Sequence, residues 1–427
     1  MSNSLKVALL GCGTVGSQVA QVLLDQSDEL KARVGREIEL VAIAVRDINK
    51  PRPGIDSALL TADVEALLGR RDLDIVVELI GDIEPAGSYL RAALSARASV
   101  VTANKALLAV AGPSLFEIAE ANKVDLYYEA AVAGAIPIIR PLRESLVGDQ
   151  ITSVKGIVNG TTNFILEKMY NDGADYQDVL AQAQLLGYAE ADPTADVEGF
   201  DAAAKAAILA GLAFHTQVVL DDVGREGITN LSADDIAAAK DMGCTIKLLA
   251  RCDLADDGSV SAGVYPTMVP LSHPLAGVHD AYNAIFVESR YAGHLMFMGK
   301  GAGGAPTASA VLGDIVIAAR NRARGPAGLH LSAYHQRKII PNDLVCSKFY
   351  VSMNVVDKPG VLAEVAKVFA RHEVSLQAVR QNPDLGAARL GVMTHPARLS
   401  DLKAAVIDLE TLDAVSAGVT LIRVEEE

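Results

Sequence analysis

The first 150 residues predict an α/β fold, a parallel sheet with crossover helices, on three observations. The apolar run LKVALL at 5–10 reads as a buried strand and leads directly into Gly11-Cys12-Gly13-Thr14-Val15-Gly16. A helical pattern from Ser17 to Leu30 follows, so the glycine motif stands between a strand and a helix. Further strand-like runs then alternate with helical segments, at IELVAIAV (38–45), DIVVELI (74–80), ASVVTANK (98–105) and VDLYYEA (124–130). In that setting the glycines permit a tight turn and let backbone N–H groups approach a pyrophosphate at the helix N-terminus. Residues 1–150 are therefore expected to form a Rossmann-type NAD(P)-binding domain, with Gly11, Gly13, Thr14, Val15 and Gly16 at the cofactor.

The second strand run ends on Arg46 and then Asp47. An acidic residue there would bind the ribose of NAD, whereas a guanidinium suits the 2′-phosphate of NADP. Arg46 makes NADP the expected cofactor with NAD possible; it also fits a surface arginine. Lys105 ends the run at 98–105 and by itself is a site lysine or a loop lysine. The small-residue turn Glu129 to Pro137 could set one carboxylate and several carbonyls around a hard cation, or simply join a strand to a helix.

From about Ile151 the chain changes character. ITSVKGIVNGTTNFIL (151–166) is a strand and then a polar helix start at Asn159 to Asn163, where Thr161 or Thr162 caps the helix or lines a site. Strand patterns gather at TIKLLARC (245–252), SVSAGVYPTMV (259–269), IFVESRY (285–291) and HLMFMG (294–299). Together they predict an open sheet, an α+β substrate-binding and dimerisation domain over 151–322. The segment at 300–320 is a glycine loop containing Gly303, then an apolar helix near 306–320 expected to pack back onto the first domain. Its loop either closes over the cofactor or is a plain connector. Residues 323–347 read as a linker. Residues 348–427 carry a ferredoxin-like βαββαβ pattern, with the turn Asp357-Lys358-Pro359-Gly360 ahead of a helix whose apolar face is Val361, Leu362, Val365, Val368 and Phe369.

The stretch around which the chain is organised is GYAEADPTADVEGFDAAAKAAILAG (187–211). Between Ala202 and Phe214 its only charge is Lys205, and Asp201 lies four residues earlier on the same helix face. Alanines surround the pair, so the helix is expected to be buried. A buried lysine beside a carboxylate serves as a proton donor or acceptor more often than as a stabilising contact. Glu190, Asp192, Asp196 and Glu198 crowd just upstream and suit a positively charged polar substrate.

Composition narrows the partners. At 427 residues and half hydrophobic, the chain has room for two or three packed domains. A net charge of −15 argues against nucleic acid or anionic membrane. The four cysteines, at 12, 244, 252 and 346, form no CxxC or His-Cys metal pattern and suit a reducing cytoplasm. No secretory leader or membrane-spanning apolar run is expected.

The 187–211 stretch resembles the signature of homoserine dehydrogenases. Asp196, Asp201 and Lys205 fall at that family's spacing, and Gly187, Tyr188 and Glu190 match its substrate loop. The resemblance extends over nearly the whole chain and implies reversible NAD(P)H-dependent reduction of L-aspartate 4-semialdehyde to L-homoserine. It implies Lys205, Asp201 and Lys105 as catalytic residues, with Lys105 near the nicotinamide. Gly187, Glu190, Asp196 and Asp201 would contact substrate. It further implies a monovalent cation, usually sodium, held by Glu129 and the backbones of Val132, Gly134 and Ile136; Ala133 stands where the family often has glycine. The last 80 residues resemble an ACT domain, which implies an amino-acid effector, L-threonine by expectation, or a purely dimerising module. A homodimer or homotetramer is expected. Since every catalytic candidate precedes it, this module is expected to be dispensable for chemistry. Two rivals remain: an acyl-phosphate-forming semialdehyde oxidoreductase, which needs a cysteine nucleophile, and a non-catalytic amino-acid sensor.

Overall fold

The computed structural model describes residues 4–325, 335–384, 387–416 and 418–426. They form two compact units: Met1–Thr152 with Ala207–Leu220 and Asn283–Arg337, and Ser153–Ala206 with Asp221–Tyr282 and Lys338–Glu427. Each unit gathers segments that are distant in the chain.

The first unit is built on six strands: β1 (Ser4–Leu10), β2 (Glu37–Ala44), β3 (Leu60–Thr61), β4 (Ile75–Glu78), β5 (Ser99–Thr102) and β6 (Leu126–Tyr127). Their order is β3-β2-β1-β4-β5-β6, every pair parallel. Side chains alternate across a strand, so β1 sends Leu5, Val7 and Leu9 to one core and Ala8 and Leu10 to the other. The first core is closed by helices Thr14–Asp25, Ser27–Val34 and Gly304–Arg324, the second mainly by Ala86–Ser95 and Lys105–Asn122. Helix Gly304–Arg324 inserts Ala308, Val311, Ile315, Ala318 and Ala319, a 3–4 spacing that makes one apolar stripe. Val311 and Ile315 are wholly buried, each stabilising by roughly 1.5–3 kcal/mol. Strand order reverses between β1 and β4, which opens a crevice at their C-terminal ends, where the glycine motif sits.

Strands β7 (Ile151–Ile157), β8 (Gly224–Arg225), β9 (Cys244–Leu254), β10 (Val260–Pro270), β11 (Tyr282–Ser289), β12 (Gly293–Lys300), β13 (Cys346–Val356), β14 (Leu376–Asp384), β15 (Ala387–Thr394), β16 (Ala397–Arg398) and β17 (Thr420–Val424) follow. In the second unit they run β7-β9-β10-β17-β13-β15-β14. The last four, with helices Val361–Arg371 and Leu399–Glu410 on one face, are the ferredoxin-like module; its core carries Val361, Val365, Val368 and Phe369 as the sequence predicts, whereas Leu362, expected on the same face, turns outward and is exposed.

That module is not tethered. β17 pairs in parallel with β10, Thr267 to Arg423 and Met268 to Val424, so one sheet continues from the αβ domain into the module. Buried Glu425 then meets Lys155 at 3.0 Å and Arg251 at 3.3 Å. The expected linker is also structured where described: the long helix reaches Arg324, and Ile339 bridges Val260, while residues 326–334 lie outside the described residues. The module expected to be dispensable for chemistry thus supplies, through β17, an edge partner to β10, a strand buried almost along its length. Among the described residues no helix is long and apolar enough to cross a membrane.

Candidate active site

In the first unit the phosphate loop has the geometry its glycines require. Gly11 holds φ +103°, and a Cβ there would sit 2.7 Å from Leu79 O. A Cβ on Gly16 would sit 2.4 Å from Gly11 O. Gly13 caps helix Thr14–Asp25, and its own Cβ direction opens on empty space. Gly303 caps helix Gly304–Arg324, whose first residue packs so closely on Thr14 that a Cβ would lie 2.9 Å from Thr14 Cγ2. Two helix N-termini with their partial positive charge thus converge on one open loop, a fit for a pyrophosphate.

Beside the loop lies a buried polar scaffold not visible as a motif. Glu78, wholly buried at the end of β4, accepts from Ile80 N at 2.7 Å, Gly81 N at 3.0 Å and Thr102 Oγ1 at 2.5 Å. Asn104 caps the next helix through Leu107 N and donates to Asp82 O. The scaffold fixes Lys105, the first residue of helix Lys105–Asn122, half-buried at the C-terminal edge of the sheet. Arg46 stands exposed just past β2. Asp47 turns its carboxylate onto Asn49 N, and Arg52, braced on the carbonyls of Asp47 and Lys50, brings its guanidinium to Cys12.

In the second unit a four-residue polar cluster forms around helix Phe200–Ala213. The alanine-rich run favours helix and lets it lie close to its neighbours. Asp201 and Lys205, at 9% and 8% exposure, meet at 2.6 Å across one turn. Lys205 Nζ also donates to Val158 O at 2.6 Å, just past β7. Asn159 follows Val158 and reaches the same carboxylate: its Nδ2 donates to Asp201 Oδ2 at 2.9 Å and to Asp196 Oδ1 at 2.7 Å. Its Oδ1 accepts from Thr162 N and so caps helix Gly160–Asp172. The cap is therefore Asn159, neither Thr161 nor Thr162. An amide can accept at the cap and donate to acids at once, which a hydroxyl on a shorter stem does not span. Thr161 Oγ1 instead holds Tyr188 O at 2.7 Å, and the Tyr188 ring lies 4.7 Å from that of Phe164. These contacts anchor the loop in which Gly187 takes φ +77° and Glu190 stands exposed.

The turn after β6 resolves differently from its sequence reading. The Glu129 carboxylate is taken up by Ile138 N, Ile139 N and Arg140 N, at 2.6 to 3.0 Å, and by Arg140 Nε at 2.8 Å. Asp314 accepts from Glu129 N at 2.7 Å. Glu129 thus spends its acid on the following helix start, and the turn offers a cation carbonyl oxygens rather than a carboxylate. Ala133 and Gly134 both adopt left-handed conformations, and a Cβ on Gly134 would lie 2.4 Å from Gly301 O, so the backbone is tightly defined there.

Residues 11–129 match the family described as the homoserine dehydrogenase NAD-binding domain, residues 137–316 the homoserine dehydrogenase family, and residues 349–412 the ACT domain. A homoserine dehydrogenase of Mycobacterium tuberculosis is 54% identical over 429 residues, covering 98% of this chain and 97% of that one. The chain belongs to the homoserine dehydrogenase family. A homoserine dehydrogenase of Corynebacterium glutamicum is likewise 54% identical, over 100% of this chain and 96% of its own. The crystal structure of one from Thiobacillus denitrificans superposes with a TM-score of 0.94 at 38% identity, covering 99% and 98% of the two chains. A hyperthermophilic archaeal homoserine dehydrogenase in complex with NADPH aligns with a TM-score of 0.64 at 27% identity, over 76% of this chain and 99% of that one. The protein is accordingly an NAD(P)-binding oxidoreductase acting on a CH–OH group, with a C-terminal ACT domain.

Homoserine dehydrogenase chemistry agrees with the state of the cysteines. Cys12 is half-buried and burial pushes its thiol up, with Arg52 opposing, so it is not poised as a nucleophile. Cys244 and Cys252 are buried in strand β9. Cys346 is exposed, but it opens β13 of the C-terminal module, away from the candidate site residues in the chain, so no cysteine stands among the residues of that site. Lys247 escaped the sequence reading, although a lysine within the apolar stretch Cys244–Ala250 was its signal. It is 2% exposed and donates to Asn163 Oδ1 at 2.9 Å and Val278 O at 2.7 Å, which ties β9 to the helix that Asn159 caps.

Proposed function

We propose that the Asp201–Lys205 pair is the acid–base element of reversible L-aspartate 4-semialdehyde reduction to L-homoserine. The observation that carries this is the buried 2.6 Å contact between them, with Val158 O aiming the same ammonium. When bound, the nicotinamide supplies hydride to the aldehyde carbon. Charge then develops on the carbonyl oxygen, and a positioned ammonium proton neutralises it. Lys205 donates that proton and, in the reverse direction, takes it back. Asp201 holds Lys205 in place and keeps a counter-charge beside it. Asp196 and the exposed Glu190, beside Gly187 on the same loop, present negative charge to the substrate ammonium. Lys105 serves the substrate oxygen or the cofactor from the sheet edge.

The convergent helix termini at Gly13 and Gly303, with Thr14, Val15 and Gly16 in the first turn, suit the pyrophosphate. Arg46, supported by Arg52, suits a 2′-phosphate, and Asp47 does not oppose it because its carboxylate serves Asn49 N. We therefore read NADP as the preferred cofactor, in line with the archaeal relative solved with NADPH. The turn's carbonyls at Glu129, Val132, Gly134 and Ile136 suit a monovalent cation, sodium by preference, since the nearest acid is already neutralised by Arg140. Melting in sodium chloride should exceed melting in tetramethylammonium chloride at equal ionic strength by several degrees; equal values would contradict a cation there. The ACT domain is read as a sensor of threonine, and the enzyme as a cytoplasmic homodimer or homotetramer, its four free cysteines fitting a reducing compartment.

The test is homoserine-dependent reduction of NADP and of NAD, followed side by side by absorbance at alkaline pH. Turnover with NADP, at a lower KM than with NAD, is expected. No homoserine-dependent signal with either cofactor would contradict the reaction.

A further inference from the structure

Asn159 is a single side chain with contacts to two carboxylates, a helix and, through Asp201, the proposed acid–base lysine. Its Nδ2 donates at 2.7 Å to Asp196 and at 2.9 Å to Asp201. Its Oδ1 accepts from Thr162 N at 2.9 Å and lies 3.1 Å from Thr162 Oγ1, itself a donor. The residue is 5% exposed. Both hydrogens of one amide are spent on two acids, and the amide oxygen is held by the helix start, so the side chain has no freedom to flip. An inverted amide would set its oxygen against both carboxylates and its NH2 against the Thr162 N–H. The arrangement is thus self-consistent in one orientation only.

Asp201 Oδ2 is the shared point. It takes the Asn159 amide and the Lys205 ammonium, while Lys205 is also held by the carbonyl of Val158, the neighbour of Asn159 in the chain. Residues 158 and 159 therefore fix the acid and the lysine from the same stretch of backbone. Without the amide, Asp196 and Asp201 would face each other with no shared donor, and like charges at close range separate or take up a proton.

We infer that Asn159 is a positioning residue of this enzyme, one whose amide holds Asp196 and Asp201 side by side so that Lys205 and the substrate ammonium each meet a correctly placed carboxylate. The inference rests on the proposed role of the Asp201–Lys205 pair. It assigns Asn159 no contact with the reacting atoms. It does predict that losing the amide disturbs both substrate binding, through Asp196, and turnover, through Asp201, while cofactor binding is spared.

Asn159→Asp separates this role from helix capping, since aspartate caps as well as asparagine. The variant keeps an acceptor for Thr162 N and loses the donor to both acids. Its far-UV circular dichroism should match wild type, kcat at pH 8 should fall about 10- to 100-fold, the range of a misplaced general acid, and KM for homoserine should rise while KM for NADP stays put. As pH falls towards 6, a third carboxyl crowded by two others takes up a proton and becomes a donor again, so relative activity should recover, opposite to a merely weakened fold. Wild-type kcat and an unchanged pH profile would overturn the inference. If that variant does not fold, Asn159→Ser also caps but is too short to reach both acids; kcat within three-fold of wild type would overturn the inference equally. Lys205→Ala, measured in parallel, keeps the two readings apart. Normal turnover there removes the Asp201–Lys205 mechanism itself, whereas a collapse there with wild-type Asn159 variants removes only the positioning role.

Discussion

Lys247 shows how far one buried charge can depart from its solution behaviour. Burial lowers its ammonium from 10.5 to about 8, with the Glu167 charge opposing. Between those two values the unfolded chain binds a proton that the folded one does not, so stability from this group is least below pH 8 and rises as pH climbs towards 10. Lys247→Met removes that dependence. Its melting temperature relative to wild type should be highest near pH 7 and decline steadily by pH 10; a difference flat across that range would contradict the burial cost. Residues of this kind are the part of the site least legible in sequence. Asp201 and Lys205 announced themselves by spacing on an alanine helix, but Asn159, Glu78 and Lys247 act through partners 24 to 84 residues away, and no local pattern encodes such pairings. Glu129 makes the same point from the other side. Its carboxylate is engaged by the start of the next helix, a pairing that the local sequence of the turn does not reveal.

Elements were more legible than residues, because periodicity is local and burial follows it. The glycine loop, the alternating strands and the βαββαβ pattern each depend on spacing within about 20 residues, and each is present in the structure. Short elements were less so: the run at 124–130 yields only the two-residue β6, because the chain turns at Glu129. The phosphate loop allows a prediction that separates folding from binding. At Gly13 a methyl group meets no atom within 4 Å, and φ is −85°, so Gly13→Ala should fold and melt like wild type. The methyl would project into the open space left for the pyrophosphate, and KM for NADP should rise at least ten-fold. An unchanged KM would place the cofactor elsewhere.

At the scale of the whole molecule, β17 changes what the ACT domain can be. A strand entering the neighbouring sheet links two folds that sequence suggested were strung on a linker, and such a pairing joins residues more than 150 positions apart. Truncation before Cys346 would strip β10 of that partner and take Glu425 from Lys155 and Arg251, and breaking a buried ion pair costs roughly 3–5 kcal/mol. The truncated chain is expected to be largely insoluble or to melt many degrees lower; a soluble, fully active truncation would show the sheet junction to be unimportant. The same junction offers a mechanical route for an effector, since a ligand favouring one arrangement of the module would act on the sheet that carries β7 and, just beyond it, Val158 and Asn159. Threonine inhibition of the full-length enzyme, with a coupling of ~1–3 kcal/mol, would be the expected scale.

The central claim is that Lys205 moves the proton. The measurement that tests it most directly is steady-state turnover of Lys205→Ala with homoserine and NADP, alongside NADP binding by fluorescence. With Lys205 as the proton carrier, kcat is expected to fall on the order of 10²- to 10⁴-fold, as for a lost general acid or base, with NADP affinity within a few-fold of wild type. Turnover within a few-fold of wild type would contradict it.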